Sequence, residues 1–239
     1  MLPLRDHLPT RTVPYVNYGI IAANFVVFFM QLSGTMGPGG GEQWTLHPAV
    51  LWVDPVYGIE TVFTSMFMHA GWAHILGNML FLWIFGDNVE DAMGHLRYIV
   101  FYLIGGLCAA GAQILSAPMS NVPMLGASGA IASVLAAYMF LYPRSPVTVL
   151  NPIPILWLFW GLFLTVPAWL VLGVWFVYNL WDALAMSHEG GVAFMAHVGG
   201  FLGGAVLHRL FLLGRPRLED YERHEQWVPP RRARRVDGY

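Results

Sequence analysis

Six stretches of this chain are apolar over close to the length that a lipid bilayer demands, and they limit its fold more than any other feature. A hydrocarbon core about 30 Å thick needs roughly 20 apolar residues of helix, somewhat fewer where flanking side chains reach the interface. The stretches are 16–33, 73–88, 97–116, 127–142, 158–180 and 195–213. Composition agrees, with 56% of residues hydrophobic and 11% charged, against roughly 25% charged in a soluble domain. The expected fold is an all-α membrane protein in which six transmembrane helices fill 16–213. A short N-terminal segment, 1–15, and a tail, 214–239, lie outside the bundle.

The first stretch is longer than the roughly 7–15 residue core of a signal peptide, and no A-x-A site follows it, so it is expected to persist as a helix. The apolar run 147–181 is too long for one straight span and carries Pro152, Pro154 and Pro167. Its first part therefore reads as an interfacial or re-entrant element. No internal repeat is visible, which argues against transporters built from inverted repeats. The single cysteine, Cys108, lies inside an apolar run and reads as a packing residue.

Arginine placement sets orientation, because short cytoplasmic loops collect positive charge. All twelve basic residues are arginine. With six spans, Arg5, Arg11, Arg97, Arg144 and the eight from Arg209 onward fall on the side that holds both termini. The opposite loops, about 34–72, 117–126 and 181–194, hold none. Both termini are therefore expected in the cytoplasm. The tail, with RRARR at 231–235 among Glu219, Asp220, Glu222 and Glu225, reads as a solvated segment. A net charge of −2 gives no support to nucleic-acid binding.

Within this topology the second, fourth and sixth spans all run from the outside inward, so their starts share one depth. Those starts contain His74 and Asn78 (HAGWAHILGN), Ser128 (GASGA) and His197 (AHVGG). Each alone reads as a satisfied helix-end polar group, and Ser128 as an N-cap. Four at one depth is a different matter, since ionisable groups at membrane depth are rare and point to function.

A serine hydroxyl is a weak nucleophile until a neighbouring base takes its proton, and His197 is the histidine available for that. Gly126 and Gly129 let backbone approach a substrate, and the helix beginning at Ser128 aims its unpaired N–H groups at developing negative charge. His74 and Asn78, four residues apart on one helical face, can add further donors to such an oxyanion site. The outer half of each span lacks an acidic residue. Asp182 and Glu189, in the last outer loop, are the nearest acids, and neither is expected to serve as a third member.

These motifs resemble the rhomboid family of intramembrane serine proteases over about residues 16–213. The signatures are His69-x4-His74-x3-Asn78, Gly126-Ala127-Ser128-Gly129 and Ala196-His197-x2-Gly200-x3-Gly204. The resemblance implies Ser128 as nucleophile and His197 as general base and acid. It implies His74, Asn78 and the backbone of Gly126 and Ser128 as oxyanion donors, with His69 and Gly129 in support. It implies no cofactor and no metal. Inactive relatives lack the serine or the histidine, so retention of both implies an active enzyme. One departure stands out: some relatives carry an aromatic residue four positions after the nucleophile, stacked on the histidine, where this chain has Ala132.

Gly129, Ser133 and Ala137 recur every fourth residue, and Gly199, Gly200, Gly203 and Gly204 crowd the last span, so spans four and six are expected to touch. The first outer loop combines a glycine-rich head with Trp44, Trp52 and Tyr57, which suit either an interfacial seat or packing on the protein itself. By resemblance this loop sits partly in the outer leaflet, and bulky Trp175 and Phe176 act as a lateral gate. Resemblance also implies single-pass membrane proteins as substrates, cleaved beside small side chains, in a multi-pass protein of a bacterial inner membrane with lipid around it. A zinc protease would need a motif such as HExxH, which the chain lacks. A non-catalytic chaperone or transporter of the same fold is the other class that the sequence allows.

Overall fold

The computed structural model describes residues 2–151, 153–185 and 193–214. Glu189 and the tail beyond Gly214 lie outside the described residues. Six long helices carry the architecture: α1 (Tyr15–Leu32), α2 (Trp72–Met93), α3 (His95–Ser116), α4 (Ser128–Leu141), α5 (Ala168–Leu184) and α6 (Phe194–Phe211). Of these, α1 and α3 are long and apolar enough by length and composition to cross a bilayer, with mean hydropathies of 1.4 and 1.8.

Polar contacts show which helix ends lie together. The buried Glu90 near the end of α2 accepts N–H bonds from Val16 (3.0 Å) and Asn17 (2.7 Å) in the first turn of α1. An anion is stabilising there, because the first N–H groups of a helix are unpaired and carry its positive dipole end. Gly94, at φ +82°, turns the chain from α2 directly into α3, a conformation that only glycine adopts without strain. Arg97 at the start of α3 donates to the carbonyls of Phe211 and Leu213 at the end of α6. Tyr142, just past α4, donates to Asn88 O of α2 at 3.4 Å. At the other end, Phe28 of α1 meets Trp72 of α2 edge-on at 5.0 Å. The helices therefore run alternately up and down, and the described arginines Arg5, Arg11, Arg97, Arg144 and Arg209 all belong to one end.

The all-α expectation is corrected at that end. Strands β1 (Leu2–Asp6), β2 (Pro146–Leu150) and β3 (Phe163–Pro167) form an antiparallel sheet in the order β1-β2-β3. Pro146 pairs with Pro167 and Leu150 with Phe163, while Leu2 pairs with Leu150 and Asp6 with Val147. In β2 the β-branched Val147 and Val149 are fully buried and alternate with Pro146 and Thr148, the period-two pattern of a half-buried strand. The interior polar groups bind across elements: Tyr138 OH of α4 donates to Asp6 Oδ2 at 2.8 Å, and burial raises the Asp6 carboxyl above its ordinary value. The described part of this segment, 2–15, is thus tied into the fold, and β2 and β3 between α4 and α5 pair as a hairpin. The fifth helix accordingly starts at Ala168 rather than near 158, where the backbone N–H groups of Ala168 and Trp169 reach back to the carbonyls of Ser145 and Pro143.

Small residues let α6 sit against both α3 and α4. A methyl group at Gly200 would land on the Gly129 carbonyl and lie 3.3 Å from Ala132 Cβ, and one at Gly204 would meet the Ser133 backbone. On the other flank, a methyl at Gly203 would lie 2.7 Å from Cys108 Cβ, so Cys108 is a packing residue. Where lipid removes the hydrophobic drive between helices, such close backbone contact is what holds them together. The expected contact between the fourth and sixth helices is present.

Candidate active site

The height of Ser128 follows from the length of α4. Fourteen residues make a helix about 21 Å long, at roughly 1.5 Å per residue. Its far end is level with α2 near Phe85 and Asn88, because Tyr138 packs on Phe85 at 4.9 Å and Tyr142 bonds to Asn88. Ten residues before Tyr138 and Phe85 on these two parallel helices, Ser128 comes level with His74 and Ile75. The serine therefore lies just under one turn inside the start of α2.

At that depth Ser128 Oγ lies 2.7 Å from His197 Nε2. Both side chains are part-buried. The other ring nitrogen, His197 Nδ1, meets Asn179 Oδ1 of α5 at 2.5 Å, and Asn179 is buried. Ala132 is buried against α6, and its closeness to Gly200 leaves no volume for an aromatic ring. Other rings border His197 instead, with Trp175 at 5.7 Å and Phe194 edge-on at 6.3 Å. Sequence reasoning missed Asn179. Its mark in the sequence is one amide inside the apolar run VWFVYNLW, which carries no charge to set it apart.

The donors beside the serine can be assigned from their partners. The Ala70 N–H donates to His74 Nδ1 at 3.3 Å, so the neutral ring carries its proton on Nε2. Asn78 Nδ2 donates to His69 Nε2 at 3.1 Å, and His69 Nδ1 donates to Phe67 O at 3.3 Å. The Nδ2 amine of Asn78 keeps a second proton. Burial, reinforced by the neighbouring His74, lowers the His69 pKa to about 4, so its ring is neutral and can accept from Asn78. The backbone of His69 is clamped from α1, since Gln31 Oε1 accepts its N–H and Gln31 Nε2 donates to its carbonyl. His69 thus touches the side-chain amide of Asn78 through this one hydrogen bond.

Gly126 is where the structure departs from the expectation of a backbone oxyanion donor. Its N–H is donated to Ser65 O at 2.8 Å and is not presented to the site. What the glycine supplies is room: at φ +120°, a Cβ there would lie 2.7 Å from His74 Nε2 and 3.6 Å from Asn78 Nδ2. Both side-chain donors therefore crowd against the bare face of Gly126, two residues before the serine. The first N–H groups of α4, Ser128's own included, have no partner in an earlier turn of the helix. Gly129 serves packing, since a methyl there would fall 2.5 Å from Ala109 of α3.

The surroundings bear on access. The loop between α1 and α2 is stitched to the serine loop by paired backbone bonds between Leu46 and Met124. It turns Trp52, Val53, Val56 and Ile59 outward, an apolar face suited to the membrane interface. Trp44 and Tyr57 are half-buried, and Tyr57 OH donates to Gln43 O. Helix α5 packs mainly on α6 and less on α4. It reaches α2 through Trp175, 6.4 Å from Phe81, whereas Phe176 stacks on Phe201 of α6 at 4.3 Å. Of the two expected gate residues, Trp175 faces α2 and Phe176 faces away from it.

Fold and site together define a helical bundle of membrane type carrying a serine–histidine pair with side-chain donors beside it. The rhomboid domain family matches residues 58–214, well over half of the chain. The chain belongs to the rhomboid family, whose members are integral membrane proteins. It is 30% identical over 135 residues to the rhomboid protease GluP of Bacillus subtilis, covering 54% of this chain and 25% of that protein. It is 27% identical over 157 residues to the mitochondrial rhomboid protein 1 of Saccharomyces cerevisiae, covering 64% and 42%. A mitochondrial RHOMBOID-like protein 6 of Arabidopsis thaliana is 36% identical over 94 residues, covering 38% and 30%. The chain spans about half or less of the length of the curated relatives it matches.

Proposed function

We propose that this protein is an intramembrane serine endopeptidase that cleaves single-pass membrane proteins within or beside their transmembrane segments. The observation that carries the reading is the 2.7 Å contact between Ser128 Oγ and His197 Nε2, within the range needed for proton transfer from nucleophile to base. Ser128 Oγ attacks the scissile carbonyl carbon as its proton passes to His197 Nε2. The resulting oxyanion accepts hydrogen bonds from His74 Nε2–H, the free Asn78 Nδ2–H and the backbone N–H of Ser128. The C–N bond then breaks, and His197 returns the proton to the leaving amine. Water, deprotonated by the same nitrogen, releases the acyl group and restores the serine.

The arrangement of the histidines supports this reading over zinc hydrolysis, because His69 Nε2 is committed to Asn78 and His197 Nε2 to Ser128. In the topology proposed, six helices span the membrane and the arginine-bearing end faces the cytoplasm with both termini. A bacterial inner membrane is the proposed location. Substrates reach the serine laterally between α2 and α5, and lipid is the other partner. The test is labelling with a fluorophosphonate probe together with cleavage of a single-span reporter. Labelling that disappears in Ser128→Ala supports the serine reading. A folded, lipid-reconstituted protein that neither labels nor cleaves would instead be a silent rhomboid-like module.

A further inference from the structure

We infer that Asn179 is a positioning residue that makes the Ser128–His197 pair a serine–histidine–asparagine relay, by fixing which nitrogen of His197 carries the proton. The inference rests on the serine-protease reading and adds a third member to it. An amide side chain can be turned either way, so its orientation has to come from its partners. Here Asn179 Nδ2 donates to the Trp175 carbonyl one turn earlier in α5 at 2.8 Å. That bond turns Oδ1 toward His197 Nδ1, 2.5 Å away. A carbonyl oxygen only accepts, so Nδ1 must be the protonated nitrogen. The lone pair of a neutral ring then lies on Nε2, facing the Ser128 hydroxyl. One backbone carbonyl of α5 thus sets, through two hydrogen bonds, the tautomer in which His197 acts as a base.

The same contact serves the protonated ring. Once His197 holds the serine proton, the Nδ1–H dipole is already paired with an oxygen, and no group has to reorient. An aspartate would do this with a full charge, but burying a carboxylate at membrane depth is costly, whereas an amide stays neutral. The position is fixed by burial and by its turn of helix, not by a loop. Ala132 stands where some relatives carry a ring, and the hydrogen bonds to the imidazole are the Nδ1 contact with Asn179 and the Nε2 contact with Ser128.

The experiment compares the full-length parent with Asn179→Leu, Asn179→Asp and Ser128→Ala in detergent and in lipid. It measures kcat and KM on a single-span reporter and thermal unfolding. It also records ¹⁵N shifts of histidine-labelled protein, with His197 assigned by its loss in His197→Gln. Leucine keeps the volume and removes the acceptor, and aspartate keeps the acceptor. Asn179→Leu should lower kcat roughly 10–100-fold, the usual effect of removing a partner that orients a functional histidine. KM and unfolding should stay near the parent's. Asn179→Asp should recover most of the turnover. The parent's His197 shifts should report the Nδ1–H tautomer, and Asn179→Leu should show a mixture. A parent His197 protonated on Nε2, or an Asn179→Leu protein with the parent's kcat while Ser128→Ala is inert, overturns the inference alone. Undiminished cleavage by Ser128→Ala overturns the serine reading and the inference with it. If Asn179→Leu does not fold, the parent's tautomer and the turnover of Asn179→Asp still decide.

Discussion

Gly126→Ala tests whether the glycine before the serine gives the site a donor or gives it space. Alanine keeps the backbone N–H, so an amide donating to the oxyanion would survive the change. Its methyl group would not be accommodated, because it lies 2.7 Å from His74 Nε2 where ordinary contact begins at 3.4 Å, a shortfall of 0.7 Å. The imidazole must move by about that much, since the other side of the contact is backbone held by the Ser65 carbonyl at 2.8 Å. A side chain held at φ +120° adds about 1–3 kcal/mol of backbone strain. Displacing one oxyanion donor costs up to about 2.7–4 kcal/mol, or 10²–10³ in turnover. We expect Gly126→Ala to lose roughly 10–10³ in kcat, because the methyl displaces His74 without removing it. A double-mutant cycle with His74→Ala isolates the cause: once the imidazole is gone the methyl keeps only an ordinary 3.6 Å contact with Asn78 Nδ2, so the second loss should be much smaller than the first. Reporter cleavage in detergent, with unfolding as a folding control, supplies all four corners. Parent-like turnover in Gly126→Ala, or losses that simply add, would refute the steric account.

Ser128→Ala and His197→Ala should each reduce cleavage to background, and the double variant should be no worse, because members of one catalytic unit do not contribute additively. Asn78→Ala should cost roughly 10²–10³ in kcat as a lost oxyanion donor, with more lost if His69 is also released. Phe81→Ala should preserve or raise cleavage of a transmembrane reporter, since it opens the bridge to Trp175 without touching His197; reduced turnover in folded protein would place access elsewhere. Stability should be level above pH 6.5 and fall as pH drops toward 4. The folded state keeps His69 neutral to about 4 while the unfolded chain takes up its proton near the ordinary 6.5. In His69→Gln that part of the slope should vanish from thermal unfolding measured across the window.

Much of the site was legible in one dimension because depth in a membrane is nearly a one-dimensional property. Apolar run length and arginine placement fix which helix ends share a side, so His74, Asn78, Ser128 and His197 could be brought to one level before any contact was known. The spacing of Gly129, Ser133, Gly200 and Gly204 likewise announced the close packing of α4 and α6, because small residues at helical period leave few other uses. What the sequence could not supply was the facing of individual atoms. Val147 and Val149 alternate as a strand does, yet they sit in an apolar run that reads equally well as helix, and the partner strand β1 lies more than a hundred residues away. Asn179 is one amide in α5, and only the rotation of that helix against α6 turns it toward His197. Gly126 has an N–H in any fold, and only the approach of Ser65 decides that it is already bound. Helix and depth follow from local periodicity and the solvent. Hydrogen-bond partners follow from angstrom-scale packing between elements remote in the chain, which no local pattern encodes.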